Sequence, residues 1–339
     1  IQDILVRWNR MRGFDTLWQP GQDHAGIATQ MVVERELEKN ENVTREKLGR
    51  EPFLEKVWEW KEKSGGAIID QLKRIGASCD WNRNRFTMDT DFQKSVLAAF
   101  VKMYSDGYIY RGERLVNWDP HFKTAISDLE VENIEIDGEF WHIKYPLKNG
   151  EKYEYIERDA DGQETFREPR DYISIATTRP ETMLGDGAVA VHPDDERYRS
   201  IIGKEVVLPL TNRDIPIIED EYPDPNFGSG AVKITGAHDF NDYEVAKRHS
   251  LEFFNLMDEK ACLLDVSYIP RPYRRLDRYE ARKSIVQDLD NEGYLIKVEK
   301  KKIVQPFGDR SKVVVEPYLT KQWFVDAKAI VQSAIDAVK

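Results

Sequence analysis

The chain has 339 residues, with 50 Lys and Arg against 61 Asp and Glu, for a formal net charge of −11. Its longest uninterrupted apolar run is six residues, Val96 to Val101, whereas a helix crossing a bilayer needs about 20. Two distant cysteines, Cys79 and Cys262, exclude a disulfide scaffold and match no zinc spacing, and the acidic balance argues against generic polyanion binding, which draws on Lys and Arg.

At roughly 150 residues per domain the length predicts about two domains. The chain opens in an amphipathic helix with Ile1, Ile4, Leu5, Trp8 and Met11 on one face and nothing like a signal peptide. A closing helix spaces Ala327, Ile330, Val331, Ala334, Ile335 and Val338 alike, and both ends are expected to be cuts through a longer protein. Residues 1–137 read as mostly helical. One helix follows Glu51-Pro52 with Phe53, Val57, Trp60, Ile68 and Leu72 inward. Another begins near Asp91, carries Phe92, Val96, Ala99 and Met103, and stops at Gly107. Over 138–277 the pattern changes to short β-type runs at 172–178, 188–192, 205–210, 215–218 and 231–235, with turns rich in Gly, Pro, Asp and Asn between them. Strands at this density suggest a barrel or sandwich. From 278 to 339 helical spacing returns with Ala281, Ile285 and Leu289 and a stop at Gly293, followed by the strand-like Val313-Val314-Val315. A β-rich module is thus expected to interrupt an α/β one.

Charge follows the same divisions. Residues 127–164 hold 12 acidic and 4 basic side chains, and residues 267–312 hold 12 basic and 7 acidic, so the overall −11 conceals a basic stretch. Such runs are either a solvated face or a binding surface.

Three motifs carry possible chemistry. In Trp18-Gln-Pro-Gly-Gln-Asp-His-Ala-Gly26, a turn presents Asp23 and His24 just before a helix. There a carboxylate either holds an ammonium group or caps the helix. In Ala176-Thr-Thr-Arg-Pro-Glu-Thr-Met-Leu-Gly-Asp186, the hydroxyls of Thr177 and Thr178 and the guanidinium of Arg179 stand at a strand end, as donors for a phosphate, ribose or carbonyl oxygen. The nearby Gly185-Asp-Gly187-Ala-Val-Ala190 fits a dinucleotide pattern in form, but it precedes an alternating strand and is set aside. In Phe227-Gly-Ser-Gly-Ala-Val-Lys-Ile-Thr-Gly-Ala-His-Asp-Phe-Asn-Asp242, a short strand carries Lys233, and Asp239 and Asp242 follow at i and i+3 of a helix start. The plain alternative is a capping pair beside a surface lysine. His238 and His249 fit no common metal spacing, and neither a paired Ser or Cys nucleophile nor a Walker loop is present.

Taken together, these motifs resemble the valyl-tRNA synthetase family within the class I aminoacyl-tRNA synthetases. The resemblance covers essentially the whole chain. It rests on Pro20-Gly-Gln-Asp-His-Ala-Gly-Ile-Ala-Thr29, Leu115-Val-Asn-Trp-Asp-Pro120, Thr124-Ala-Ile-Ser-Asp128, Thr177-Thr-Arg-Pro-Glu-Thr182, His238-Asp-Phe-Asn-Asp-Tyr243 and the return segment through Val315-Glu-Pro-Tyr-Leu319 to Gln322-Trp-Phe324. It implies an α/β chain in which a partial Rossmann-type catalytic domain (1–137 and 278–339) is interrupted by a β-barrel-rich α+β editing domain (138–277). The family's ATP-handling signatures, of His-Ile-Gly-His and Lys-Met-Ser-Lys-Ser type, would lie before Ile1 and after Lys339. ATP with Mg is therefore expected only for the longer enzyme, and this piece is expected not to activate valine.

Threonine differs from valine by a hydroxyl in place of a methyl, which an apolar pocket cannot strongly reject. A second, polar site should then hydrolyse threonine esterified to tRNA(Val), with no cofactor. By resemblance Asp242 holds the α-ammonium, and Asp239 and Lys233 read the threonine hydroxyl or position water. Arg179 with Thr177, and near them Thr178, Glu181 and His238, face the terminal adenosine or the ester, and Phe227 packs on the base. Asp23, with His24 beside it, takes valine's ammonium in the synthetic site, and Trp323 walls its side chain. Gly236 and Lys312 stand where relatives usually carry Pro and Gly, and Gly236 is expected to loosen the loop of His238 and Asp239. The resemblance further implies a monomer in the cytoplasm, bound to no membrane. Rival readings are an isoleucyl- or leucyl-type editing fragment, and a non-catalytic tRNA-binding module working through residues 267–312.

Overall fold

A computed structural model describes residues 1–158, 161 and 163–339. It divides into two compact units, 1–110 with 324–339, and 111–323.

The first unit is built from helices. Gly26–Glu41 and Arg50–Arg74 pack through Val33, Leu37 and Phe53, with Val57 and Trp60 partly covered at the edge of that cluster. Gly21 and Gln22 pair in parallel with Arg85 and Phe86. Helix Thr90–Ser105 ends as the sequence requires, with Gly107 at φ 79° donating its N–H to Tyr104. Its burial does not follow the periodicity: Phe92, Val96, Leu97, Phe100 and Val101 are all exposed, as are Ile68 and Leu72 of the preceding helix. Helical structure also stops earlier than 137, because a strand runs over Ile109–Asp119 and a longer one over Val131–Pro146.

In the second unit every expected β-run of the middle region is a strand. Glu205–Val207, Asp214–Glu219, Ala188–Val191 and Ala231–Ile234 form one four-stranded sheet in that order, with a parallel pair in its middle. Leu295–Gly308, Val131–Pro146 and Tyr172–Thr177 form a three-stranded antiparallel sheet. The architecture is mixed α/β with open sheets. Among the described residues none of them closes into the expected barrel, since each keeps two edges. Val314 makes only an isolated bridge to Phe307, and the next strand starts at Glu316.

Helix Phe240–Arg248 lays Val245 and Ala246 on Ala188, Ala190 and Ile234. Helix Arg278–Asn291 buries Ala281, Ile285 and Leu289 completely, the 3.6-residue spacing read from the sequence.

The two charge blocks meet in one ribbon. Strand Leu295–Gly308 pairs along nearly its whole length with Val131–Pro146, placing Lys300 opposite Glu139 and Lys302 opposite Asp137. Lys302 is 2.9 Å from Asp137, Lys312 2.7 Å from Glu132 and Arg310 2.6 Å from Glu130. These exposed pairs contribute little stability each. Their effect is that three of the twelve basic residues of the stretch 267–312 are paired with the acidic one.

Burial sets the first prediction. Ile285→Ala should lower the unfolding free energy of its unit by about 2–5 kcal/mol, whereas Val96→Ala should change stability by less than about 0.5 kcal/mol, both read from urea denaturation.

Candidate functional site

The second and third motifs converge. Strand Tyr172–Thr177 runs into a 3-10 helix over Pro180–Gly185, and the side chain of Thr177 fixes the turn by accepting the N–H of Arg179 at 3.0 Å. The Arg179 guanidinium donates to the carbonyl of His238 at 2.9 Å, to Glu181 at 3.4 Å and to Glu316. Glu181 is 0 % exposed and accepts from Nε and Nη2 of Arg282, at 2.7 and 2.8 Å. Burial alone would raise the Glu181 carboxyl, but Arg282 and Arg179 together hold it below the usual carboxylate range. Glu316 is shared with Arg278, which also donates to the carbonyl of Val314 at 3.0 Å. Arg179 is thus held by partners on every side, and Glu181 faces arginines instead of open space.

Beside this network lies an enclosed polar array. Asp186, fully buried, accepts the Tyr145 hydroxyl at 2.6 Å and the Thr235 hydroxyl at 2.5 Å, with the Lys233 ammonium at 3.4 Å. Lys233, 9 % exposed, also donates to Thr182 at 3.1 Å and to Thr235. Burial pushes the Asp186 carboxyl up despite the opposing charge of Lys233. Asp242 is 5 % exposed and accepts the Thr235 N–H at 2.8 Å. Burial, reinforced by the nearby Asp239 charge and opposed by Lys233, raises its carboxyl to about 7.

The capping alternative accounts for Asp239 but not for Asp242. Asp239 is the N-cap, exposed, and accepts the N–H groups of Asn241 and Asp242 at 2.8 and 3.1 Å. Asp242, at the third helical position, turns its carboxylate onto the preceding strand end. Nor is Lys233 a surface lysine.

His238 is 1 % exposed, and its Nε2 accepts the Leu256 N–H at 2.9 Å, which places the ring proton on Nδ1. That Nδ1 has no hydrogen-bond partner among the described residues. Burial, then the charges of Arg179 and Lys233, push its pKa far down, so the ring stays neutral. Gly236 is closely packed. A Cβ there would stand 2.7 Å from that of Ala246 and 2.9 Å from the Phe253 ring, so the backbone is pressed against both.

The remaining candidates stand apart from this array. Thr178 lines a cleft with Trp141, Tyr279 and Arg282. Phe227 is 62 % exposed, with the Lys301 ammonium 5.3 Å from its ring centre. Asp23 and His24 belong to the first unit, where they line a largely apolar cavity of about 680 Å³ with Trp58, Trp60, Ile68 and Phe86. Asp23 caps no helix: its carboxylate accepts the Ala25 N–H at 2.7 Å, and the helix begins after Ala25 without a side-chain cap. His24 Nδ1 lies 2.7 Å from the Thr87 hydroxyl. Trp323 lies in the second unit, on strand Glu316–Val325, half exposed.

Sequence reasoning missed Asp186, Thr235, Arg278, Arg282 and Glu316. Asp186 closes the second motif just before the wholly apolar run Ala188–Val191, and that lone acid was the available signal, to which no role was given.

Comparison with known proteins agrees with the motifs. The family model for class I tRNA synthetases (I, L, M and V) matches residues 1–339. Curated relatives named valine--tRNA ligase cover all of this chain, at 58 % identity in Cereibacter sphaeroides, 57 % in Caulobacter vibrioides and 53 % in Ruegeria pomeroyi. The chain spans 36 %, 37 % and 40 % of the length of those relatives, respectively. With a matching family model over its full length and relatives more than half identical, the chain belongs to the class I tRNA synthetases of the isoleucine, leucine, methionine and valine group.

Proposed function

We propose that the polar array of the second unit hydrolyses threonine from mischarged tRNA(Val), as the editing part of a valine–tRNA ligase. The reading is carried by one observation: Asp186, Lys233, Thr235 and Asp242 form a buried, mutually bonded cluster where an apolar core would fold more favourably. Such a cluster suits a ligand bearing its own hydroxyl and ammonium. Valine would leave those groups unpaired and be excluded.

In this mechanism Asp242, once ionised, holds the threonine ammonium. Lys233, fixed by Asp186 and the hydroxyls of Thr182 and Thr235, reads the threonine hydroxyl together with Asp239 at the mouth. A water adds to the ester carbonyl. The C–O bond to the terminal ribose breaks, and the water's proton passes to the ribose oxygen as it leaves. Arg179 and Thr177 orient the ester end, Phe227 stacks the terminal base, and Glu181 and His238 act by holding Arg179.

The same reading makes the β-rich region an editing domain inserted between the halves of a Rossmann-type catalytic domain, in a monomeric cytoplasmic enzyme. The cavity at Asp23 is then the amino-acid side of the valine site. Activation with ATP and Mg is not assigned to residues 1–339, which contain neither ATP-handling signature.

Purified protein should deacylate Thr-tRNA(Val) and spare Val-tRNA(Val). Asp242→Asn should reduce kcat/KM at least ~100-fold, a loss of about 2.7 kcal/mol of transition-state binding. Binding of the tRNA without hydrolysis by the unaltered chain would favour a passive tRNA-binding module instead.

The raised Asp242 pKa makes a second, signed prediction. Between about pH 4 and 7 the folded state holds a proton on Asp242 that the unfolded state has released, so this group's contribution to stability falls as pH rises through about 7. Deacylation, needing the carboxylate, should rise over the same interval. Asp242→Asn keeps an acceptor for Thr235 without the buried charge, and at pH 8 should gain roughly 1–3 kcal/mol in stability while losing activity. Thermal melts at pH 5 and pH 8 measure the difference.

A further inference from the structure

The connector 221–230 lies between strands Asp214–Glu219 and Ala231–Ile234 and carries the exposed Phe227. Both strands pair with Ala188–Val191, Glu219 and Ala231 each lying opposite Val191, so the sheet already fixes both ends. Buried ionic groups nevertheless grip the connector itself. Just before it Asp220, 7 % exposed, accepts Nε and Nη2 of Arg248 at 2.7 and 2.5 Å and the Tyr222 N–H at 2.9 Å, and lies 2.8 Å from His249 Nε2. Arg248 closes the helix whose first turn bears Asp242. Further along, the Arg197 guanidinium, held by both oxygens of Asp195 at 2.8 and 2.6 Å, donates to the Pro225 carbonyl at 2.6 Å, and the Tyr198 hydroxyl donates to that of Ser229 at 2.6 Å. Gly230, at φ 74°, lets the chain pass so closely that a Cβ there would overlap Arg197 and stand 2.7 Å from Asp195. Burial, and then the charges of Asp242 and Asp239, raise the Tyr222 hydroxyl to about 12, which marks the start of the connector as a neighbour of those carboxylates.

We propose that Asp220 and Arg197 are positioning residues, which hold the connector as a preformed platform so that Phe227 stands at a fixed span from Asp242 when the terminal base arrives. A ring on a loose connector would lose backbone freedom on stacking, at about 1–2 kcal/mol for each residue ordered, and binding would weaken accordingly. Anchoring the connector beforehand removes that cost. The anchor also has a direction. Through Arg248 it ties the connector to the helix of Asp242, so the groups assigned to the base and to the aminoacyl end of the substrate are fixed to each other. The proposal rests on the deacylation reading, to which it adds what keeps the base-stacking ring in place.

The test combines hydrogen exchange with deacylation kinetics on the 339-residue chain carrying Arg248→Gln or Arg197→Gln. The Arg248 side chain is half exposed, so its variant keeps the fold even where loss of the more buried Arg197 does not. In each folded variant the amides of Asn226 and Gly230, which close turns within the connector, should exchange faster. KM for Thr-tRNA(Val) should rise about 3–10-fold with kcat unchanged, the signature of lost uniform binding. Phe227→Ala should raise KM by about 10-fold, and in that background Arg248→Gln should add nothing, because a platform without its ring has nothing to position. Arg167→Gln, which removes an exposed arginine from strand Glu164–Arg170 of the same unit, should change neither exchange nor KM. Unchanged exchange and KM in a folded Arg248→Gln chain would overturn the proposal. An equal rise of KM with and without the Phe227 ring would also overturn it, since the contacts would then support the fold alone. If the chain hydrolyses no Thr-tRNA(Val), an acceptor-stem hairpin ending in 2-aminopurine decides by its fluorescence. Quenching that Phe227→Ala abolishes and Arg248→Gln weakens supports the platform and refutes the deacylation reading alone, whereas quenching that is absent or indifferent to Arg248 refutes the platform as well.

Discussion

The second unit depends on one buried ionic arrangement, in which two carboxylates, Glu181 and Glu316, are shared among three arginines, 179, 278 and 282. It joins the turn after strand Tyr172–Thr177, the start of helix Arg278–Asn291 and the first residue of strand Glu316–Val325. Each member is wholly or mostly removed from water. Deleting one would strand an unpaired charge, which is far costlier than the net value of the pair. Shape also enters: a guanidinium offers donors in a fixed plane, so Arg179 can bond Glu181, Glu316 and the His238 carbonyl at once, which a lysine could not reproduce. The position of His238, and through it the N-cap Asp239 and the helix that carries Asp242, follows from where Arg179 is held.

Against that rigid frame the polar array is an expense. Asp186 and Asp242 are both pushed towards their protonated forms by burial, and a core of the same volume made from aliphatic side chains would be more stable. Groups with ionisation shifted in this way concentrate where chemistry is done. The frame tolerates them because the surrounding apolar cluster, from Ile143 and Ile175 to Leu256 and Ile285, is fully enclosed and supplies the bulk of the folding energy.

How far the sequence could be read depended on which force shaped each segment. Ala281, Ile285 and Leu289 were legible because burial follows helix periodicity when one face meets a core. Helix Thr90–Ser105 shows the same periodicity, yet the described residues leave its apolar face uncovered, since a period reveals amphipathicity and not the neighbour that satisfies it. The ribbon was hidden for the opposite reason. Leu295–Gly308 and the first half of Val131–Pro146 carry so many charges that a strand's apolar alternation is obscured, and there each strand lies beside the other with complementary charge; the alternation of Trp141, Ile143 and Tyr145 in the second half was overlooked. In the site, Asp239, Asp242, Lys233 and Arg179 were found by their motifs. Asp186 and Glu316 were not, because their meaning lies in long-range contacts that no local spacing encodes. Asp186 meets Lys233 across 47 positions and Glu316 meets Arg179 across 137.

The second unit is one unbroken stretch of chain, 111–323, entered along strand Ile109–Asp119 and left along strand Glu316–Val325, and those two strands are neighbours in one sheet. A segment whose two ends emerge side by side needs only a short splice to be closed off or moved into another host chain, because bridging adjacent ends costs little loop entropy. The fold therefore makes this unit a transferable cassette. Its core, its ionic frame and its polar array all travel within the same cut.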